Sequence, residues 1–356
     1  MAKVLMKGNE AIGEAAIRAG CLNYFAYPIT PQSEVAEYLS RRLPEVGGTF
    51  LQGESEVAVS YMIFGAAATG ERVFTTSSSP GISLMSEGIS YITAAQCPAV
   101  FVNIMRGGPG LGGILPSQAD YFQSVKGGGH GDYRLLVMAP ASVQEAVEMM
   151  MEAFALAEKY TNPVMILGDG LIGQMMEPVE FPDELKAPPS NKDAWATNGM
   201  GTRNSKERNL VKTLYLVPEE LNAHNLKLRE KYRQMEREEV RFEPYHLDGD
   251  YKVLVVSYGT MSRVCRTAID NFIQKGIDVA MIRPQTLYPF PLEAIEQAAA
   301  KESCQAVLSV EMNMGQMLED VERAVKGKRP VSWYGKCGGE VPTPEEVMEA
   351  VENLMQ

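Results

Sequence analysis

Three residues in the first third of the chain have the type and placing of site chemistry. Arg106 ends an apolar run, Val100 to Met105, and six of the next seven residues, Gly107 to Gly113, are Gly or Pro. Such a backbone leaves a sheet tightly and lets another molecule come close. A guanidinium delivered there can grip a carboxylate with two parallel hydrogen bonds. Thr30 lies between Pro28 and Pro31, after Tyr24-Phe25-Ala26-Tyr27. Prolines fix φ and withhold N–H donors, which leaves the threonine hydroxyl as the group able to donate to a ligand. Glu56 sits between Gly53-Glu54-Ser55 and Val57-Ala58-Val59. A carboxylate in a helix's first turn is favoured by the dipole, and the apolar run behind it would remove part of its water. Each residue also has a plainer reading, as strand cap, capped turn or dipole-stabilised helix start.

The elements that must hold these residues alternate along the chain. Gly8 to Arg18 has an Ala-rich helical pattern with Gly20 as its stop, and a second helix opens at Ser33-Glu34. A mostly buried helix is expected from about Gly53 to Gly70, with both Glu54 and Glu56 in its first turn, then a strand over 72–76. The loop Ser77-Ser78-Ser79-Pro80-Gly81 follows, with Ser79 as N-cap of a helix that reaches about Ala95. Strand 134–138, helix 143–159 and strand 163–167 continue the pattern. Strands alternating with helices of this length make parallel βαβ units whose loops at the strands' C-terminal ends carry function. Thr30, the Ser77 loop, Arg106 and the Gly127-Gly128-Gly129 region are therefore expected on one side of one sheet.

Beyond Asp169, Pro178, Pro182, Pro188 and Pro189 mark a linker, and Pro218 to about Arg241 is a charged helix expected to be a solvated bridge. A second α/β unit with its own core begins near Tyr251. The expected division is 1–178, a linker with helix at 179–248, and 249–356.

Composition limits the partners. The chain has 356 residues, 45% hydrophobic and 22% charged, with a formal net charge of -12. Without a Lys/Arg block, nucleic acid and anionic membrane are not expected partners. No window approaches the roughly 18 apolar residues of a membrane span, and the Met-Ala-Lys start lacks a secretory apolar region, so a cytoplasmic location is expected. The closest of the five cysteines, Cys304 and Cys337, are 33 residues apart, which leaves no iron–sulfur or zinc spacing. Gly108-Pro109-Gly110-Leu111-Gly112-Gly113 fits the dinucleotide G-x-G-x-x-G form, but Pro109 and Pro116 oppose the helix that should follow. Gly168-Asp169-Gly170, with Asn198 downstream, imitates a thiamin metal–diphosphate motif and is interrupted by prolines.

Taken together, Tyr27-Pro28-Ile29-Thr30-Pro31, Glu54-Ser55-Glu56, Thr75 to Gly81 and Arg106-Gly107-Gly108-Pro109-Gly110 resemble the alpha subunit of the 2-oxoacid:ferredoxin oxidoreductases, in the 2-oxoisovalerate branch. The likeness covers nearly the whole chain. It implies an α/β fold, with a thiamin-enzyme pyrimidine-binding domain followed by a domain similar to the transketolase C-terminal domain. The latter likeness is carried by Arg283-Pro284-Gln285-Thr286-Leu287-Tyr288-Pro289-Phe290-Pro291. By the resemblance, Glu56 is the catalytic and cofactor-binding glutamate at N1′ of the thiamin diphosphate aminopyrimidine, while Thr30 and Arg106 bind the 2-oxoacid. The implied reaction is CoA-dependent oxidative decarboxylation with electrons passing to ferredoxin. Mg²⁺ and the diphosphate are then expected on a beta subunit, the iron–sulfur clusters on a ferredoxin-like subunit, and the active site at the alpha–beta interface. Alternatives within the family are 2-oxoglutarate and pyruvate as substrates; near Arg106 the sequence offers only Lys126 and Arg134 as a second cation for a dicarboxylate. Other readings are a 2-oxoacid dehydrogenase or transketolase-like subunit, or a catalytically silent assembly subunit.

Overall fold

Val100–Met105 is buried at all six positions, as is Val253–Val256 at all four, the mark of strands covered on both faces. Around these two runs the computed structural model builds two sheets. It describes residues 3–182, 192–199 and 208–355; Pro188 and Pro189 of the expected linker lie outside them.

The N-terminal half of the chain runs β1 (Val4–Lys7), α1 (Gly8–Arg18), β2 (Asn23–Ala26), α2 (Ser33–Glu45), β3 (Thr49–Gln52), α3 (Glu56–Ala68), β4 (Val73–Ser77), α4 (Ser79–Ala94) and β5 (Val100–Met105). A long loop with a π turn at Gln123–Gly127 leads to β6 (Leu136–Met138), α5 (Val143–Tyr160), β7 (Val164–Asp169), the short α6 (Gly170–Gln174) and β8 (Met176–Val179). Next come α7 (Pro218–Glu238), β9 (Phe242–Tyr245), β10 (Val253–Val256), α8 (Gly259–Gln274), β11 (Val279–Pro284) and β12 (Thr286–Tyr288). The chain closes with α9 (Leu292–Ala299), β13 (Ala306–Glu311), α10 (Leu318–Val325), β14 (Val331–Gly335) and α11 (Pro344–Met355).

The first sheet has the order β12-β6-β7-β5-β4-β2-β3 and is parallel except for β12; the second is β14-β13-β10-β11-β9, parallel except for β9. In the first, β3 lies on one side of β2 and β4 on the other, so the strand order reverses there. Outside the carboxyl ends of strands at such a reversal lies the usual ligand crevice of an open α/β sheet.

Apolar side chains fill both faces of the first sheet. Ile12 of α1, Leu39 of α2 and Phe154 of α5 pack with Val102 and Ile104 on one face. On the other, Ile63 of α3 and Ile89 of α4 meet Phe101 and Val137, and this cluster continues without a break into Leu254, Val256 and Ile282 of the second sheet. The second unit's expected separate core is thus separate only on its far face, where Val255, Phe272 and Val351 meet.

Three strands cross the expected divisions. Phe242–Tyr245, inside the expected linker, edges the second sheet, while Thr286–Tyr288 from the second unit edges the first. Met176–Val179 turns back to pair with β1. The charged α7 is a solvated bridge on one side only, because Leu228, Tyr232 and Met235 join the core beside α1 and α5. Nor is α3 buried on most sides: Val57 and Tyr61 remain about 40% exposed.

Candidate active site at the strand reversal

Thr30, Glu56 and Arg106 arrive from three different elements at the same end of the first sheet. Thr30 follows β2, Glu56 opens α3 and Arg106 follows β5. The turn carrying Thr30 is pinned by amides: Asn9 Nδ2 donates to the Pro31 carbonyl at 2.8 Å and Gln174 Nε2 at 3.0 Å. Arg106 Nη1 donates to the Thr30 carbonyl at 2.9 Å, so two of the three residues touch. Here the structure departs from expectation in detail, since it is the Thr30 backbone that meets Arg106 while the residue itself is exposed at the rim.

Glu56 is the first residue of α3. Ser55, in extended conformation, caps the helix by accepting from Ala58 N at 3.2 Å, which leaves the Glu56 carboxylate free to turn inward. It is only 6% exposed, and no side chain among the described residues donates to it. Gly81 makes room for it. A Cβ on Gly81 would stand 2.1 Å from Ser77 Oγ and 2.9 Å from Glu56 Oε1, so any side chain there would evict one of them. Gly88 gives the same clearance two turns further along α4, against Ser60 of α3. Two glycines of α4 therefore set how closely α3, and with it Glu56, approaches α4.

Arg106 is 7% exposed. Besides Thr30 it reaches the Leu111 carbonyl through Nη2 at 3.4 Å, and Nε has no partner. Its backbone N–H donates to Ser79 Oγ at 3.0 Å. Ser79 in turn donates to Asp120 Oδ2 at 2.6 Å, while Asn103 Nδ2 donates to the same oxygen at 2.9 Å. Burial pushes the Asp120 carboxyl above the usual range, opposed by those two hydrogen bonds and the Arg106 charge. Asn103 Oδ1 also accepts from Ser79 N, so the α4 cap is supplied from the neighbouring strand; α4 starts at Ser79 with Ser78 as the residue before it, one position earlier than expected.

Asp120 was not legible as a site residue. It sits in a loop without pattern, and its partners come from β5 and α4. Gln118, close by and fully buried, anchors that loop to the second unit: Nε2 donates to the Tyr258 carbonyl at 2.9 Å and Oε1 accepts from Met312 N at 2.9 Å. No helix opens after Gly108–Gly113; instead Gly107 N bonds Leu115 O at 3.1 Å and folds the segment back on itself. Asp169 spends its carboxylate as the cap of α6, accepting from Leu171 N and Ile172 N, and on Thr260 Oγ1 of α8.

Two expected neighbours are elsewhere. Gly128 and Gly129 pack on Ser86 halfway along α4, and the His130 carbonyl accepts from Ser90. That loop runs back toward the sheet's other end because it must return the chain to the start of β6. Lys126 pairs with Asp320 at 2.7 Å and Arg134 lies over the Tyr288 ring. Arg134 precedes β6, which pairs in parallel with β7 and through it with β5, so it stands at the opposite end of the sheet from Arg106.

Among the buried polar atoms without partners, Ser77 Oγ, Ser78 Oγ and Arg106 Nε lie where β4 and β5 end, beside the reversal. Such groups are costly to leave unmet, and three of them at the same end of the sheet suit a polar ligand there. Around it the surface is apolar: Leu111, Ile114 and Leu115 are 83, 58 and 57% exposed.

Comparison with known proteins places the whole chain in a family. Residues 14–243 match the family model for the pyruvate flavodoxin/ferredoxin oxidoreductase thiamine-diphosphate-binding domain, and residues 252–347 match core domain II of pyruvate:ferredoxin oxidoreductase. The ketoisovalerate oxidoreductase subunit VorB of Methanothermobacter thermautotrophicus is 47% identical over 99% of this chain and 98% of its own. The 2-oxoglutarate synthase subunit KorA of Archaeoglobus fulgidus is 37% identical over 98% of both. A 2-oxoglutarate:ferredoxin oxidoreductase from Magnetococcus marinus, solved with 2-oxoglutarate, coenzyme A and succinyl-CoA, superposes with a TM-score of 0.89 at 28% identity; this chain is covered completely and spans 66% of that one. A split-gene transketolase at TM-score 0.59 and 14% identity shares the fold. The chain belongs to the thiamine-diphosphate-binding 2-oxoacid:ferredoxin oxidoreductase family.

Proposed function

We propose that this chain is the subunit of a 2-oxoisovalerate:ferredoxin oxidoreductase that supplies the aminopyrimidine side of the thiamin diphosphate site and the anchor for the substrate carboxylate. The donor set fits that cofactor. Glu56, buried and without a donor, is matched to a heterocyclic N1′ and would exchange a proton there, and Ser77 and Ser78 offer unspent hydroxyls beside it. When bound, thiamin diphosphate supplies the carbanion chemistry that releases CO2 from the 2-oxoacid. Arg106 orients the substrate by its carboxylate, a fork that its unpartnered Nε leaves partly unfilled. Thr30 presents its hydroxyl from the rim.

The rest of the reaction belongs to partners. Among the described residues no group of three or more His, Cys, Asp or Glu could hold a metal. A beta subunit carrying the diphosphate and Mg²⁺, and a ferredoxin-like subunit carrying the clusters, complete the reading, with CoA and ferredoxin as co-substrates. The exposed leucines beside Arg106 suit burial under the beta subunit. Among the described residues no helix is long and apolar enough to cross a membrane.

One observation carries the substrate class: identity is 47% to a ketoisovalerate oxidoreductase subunit, against 33–37% to archaeal 2-oxoglutarate synthase subunits. A dicarboxylate would need a second cation, and Lys126 is paired with Asp320 while Arg134 stands at the opposite end of the sheet from Arg106. The test is to co-purify the chain with its neighbouring subunits and follow CoA-dependent dye reduction. We expect kcat/KM for 2-oxoisovalerate to exceed that for 2-oxoglutarate and pyruvate by about tenfold or more. A clear preference for 2-oxoglutarate would sink the substrate assignment.

A further inference from the structure

On the β4 side the register of β5 ends at Asn103, opposite Ser77. Arg106 lies further on, and there a side chain takes over from the strand: Ser79 Oγ accepts from the Arg106 N–H at 3.0 Å. Ser79 has one hydroxyl proton and two acceptors within its reach, the Asp120 carboxylate at 2.6 Å and the Arg106 carbonyl at 3.3 Å. The charged acceptor at the shorter distance takes the proton, which turns the Ser79 lone pairs toward the Arg106 N–H.

The same carboxylate oxygen directs Asn103. Asn103 Nδ2 donates to Asp120 at 2.9 Å, so its Oδ1 is the atom that accepts from Ser79 N at 3.1 Å. Asp120 thus orders a chain of four hydrogen bonds that ends on the Arg106 backbone. The cap of α4 does not require it, because Asn103 already satisfies Ser79 N. What Asp120 adds is the direction of a hydroxyl whose other bond goes to Arg106.

Asp120 is itself held from the second unit. Gln316 straddles it, accepting from Phe122 N at 2.8 Å and donating to the Ala119 carbonyl at 2.7 Å. Asn313 Nδ2 donates to the Gln118 carbonyl at 2.8 Å and fastens the loop just before it.

We propose that Asp120 is a positioning residue for the substrate anchor: through Ser79 it fixes the root of Arg106, whose guanidinium is tied at its far end to the Thr30 carbonyl. The proposal rests on the reading of Arg106 as the anchor of the 2-oxoacid carboxylate. A long side chain loses its aim when its root moves, and a misplacement of about 1 Å can cost about a hundredfold in rate.

The co-purified complex, assayed by CoA-dependent dye reduction with 2-oxoisovalerate, tests this. Asp120→Ala frees Ser79 to turn its proton to the Arg106 carbonyl, and should raise KM at least about tenfold with kcat within about threefold of the parent. Ser79→Ala removes the link itself, should give the same split, and carries the test where Asp120→Ala fails to assemble. Asp120→Asn keeps an acceptor oxygen for both donors, and its amide nitrogen can take the place of Oδ1, which has no hydrogen-bond partner among the described residues. It should hold KM within about threefold of the parent. In an Arg106→Lys background Asp120→Ala should add less than about twofold, because the group it positions is already gone. Losses that multiply would overturn the proposal, and so would an Asp120→Asn variant as impaired as Asp120→Ala, which would assign the effect to charge. A raised KM in Arg106→Lys beside a parental KM in Asp120→Ala and Ser79→Ala would overturn it and leave Arg106 as the anchor. A parental KM in Arg106→Lys would overturn both readings.

Discussion

Arg106 and Arg283 are buried almost alike, at 7 and 6% exposure, yet their surroundings are opposite. Arg283 follows the apolar stretch of β11 and is saturated. Its Nη1 and Nη2 donate to the two oxygens of Glu145 at 2.8 Å each, and Nε donates to Glu243 at 2.7 Å. Arg106 has two backbone carbonyls and an idle Nε, and Asp120, the carboxylate that feels its charge, spends its hydrogen bonds on Ser79 and Asn103 and makes none to the guanidinium. An arginine cannot shed its proton, so a buried one must be matched by charge. Where the chain supplies the match itself, the residue ties elements together; where it does not, the match is expected from outside. On this contrast Arg283 is the clamp between the two units, and Arg106 is kept for a ligand.

The largest effect should come from the clamp. Arg283→Ala leaves the Glu145 carboxylate, which also holds Ala141 N and Gln285 Nε2, without its bidentate partner. Breaking one side of a buried pair costs about 3–5 kcal/mol, and the remaining donors point to the lower figure. The thermal midpoint should fall by several degrees, measured by differential scanning calorimetry on the chain alone. If the variant melts as the parent does, Arg283 is not the clamp and the contrast fails.

Arg106→Lys should do the reverse. The thermal midpoint should change little, because few strong contacts are lost, while kcat/KM of the reconstituted complex drops about a hundredfold, near 2.7 kcal/mol. A lysine keeps the charge and loses the planar fork, so the loss should fall chiefly on KM. A variant with unchanged kcat/KM and a collapsed midpoint would make Arg106 a second clamp.

How far each arginine could be read from the sequence differs too. Val100 to Met105 announces an inner strand and therefore the end at which Arg106 emerges; for Glu56 the sequence indicated a carboxylate in a first helical turn before an apolar run, and only the resemblance singled it out from Glu54 for a role at the cofactor. The Arg283 clamp was not legible, since Glu145 and Glu243 lie 138 and 40 residues away and neither stands in a pattern. The same blindness hid β9 and β12. Edge strands of three or four residues take their place from a distant partner, and Thr286–Tyr288 carries no alternation long enough to declare itself. Thr30 shows a third case. Its position at the end of β2 followed from the flanking prolines, but whether its hydroxyl or its carbonyl would face Arg106 depended on Asn9 and Gln174, residues from other turns of the fold.

A third buried cation sharpens the contrast with the smallest effect. Lys231 of α7 lies against the first unit, donates to the Thr161 carbonyl at 3.1 Å, and has no carboxylate partner among the described residues. Like Arg106 it meets a carbonyl and no carboxylate, with the Tyr232 ring 6.0 Å away; unlike Arg106 it can lose its charge, and burial pushes its ammonium down to about 7, helped by the nearby Lys227. Folding therefore releases a proton wherever the pH lies between about 7 and the ordinary lysine value near 10.4, so this group's contribution to stability falls as pH drops through that window. Lys231→Met keeps the stem and removes the titration. It should raise the thermal midpoint by a few degrees at pH 7, with the gain shrinking as the pH approaches 10, as read by melts across that range. An unchanged difference at every pH would mean that Lys231 stays charged in the folded chain, and that a buried cation can be held without a carboxylate, which would remove the reason for setting Arg106 apart from Arg283.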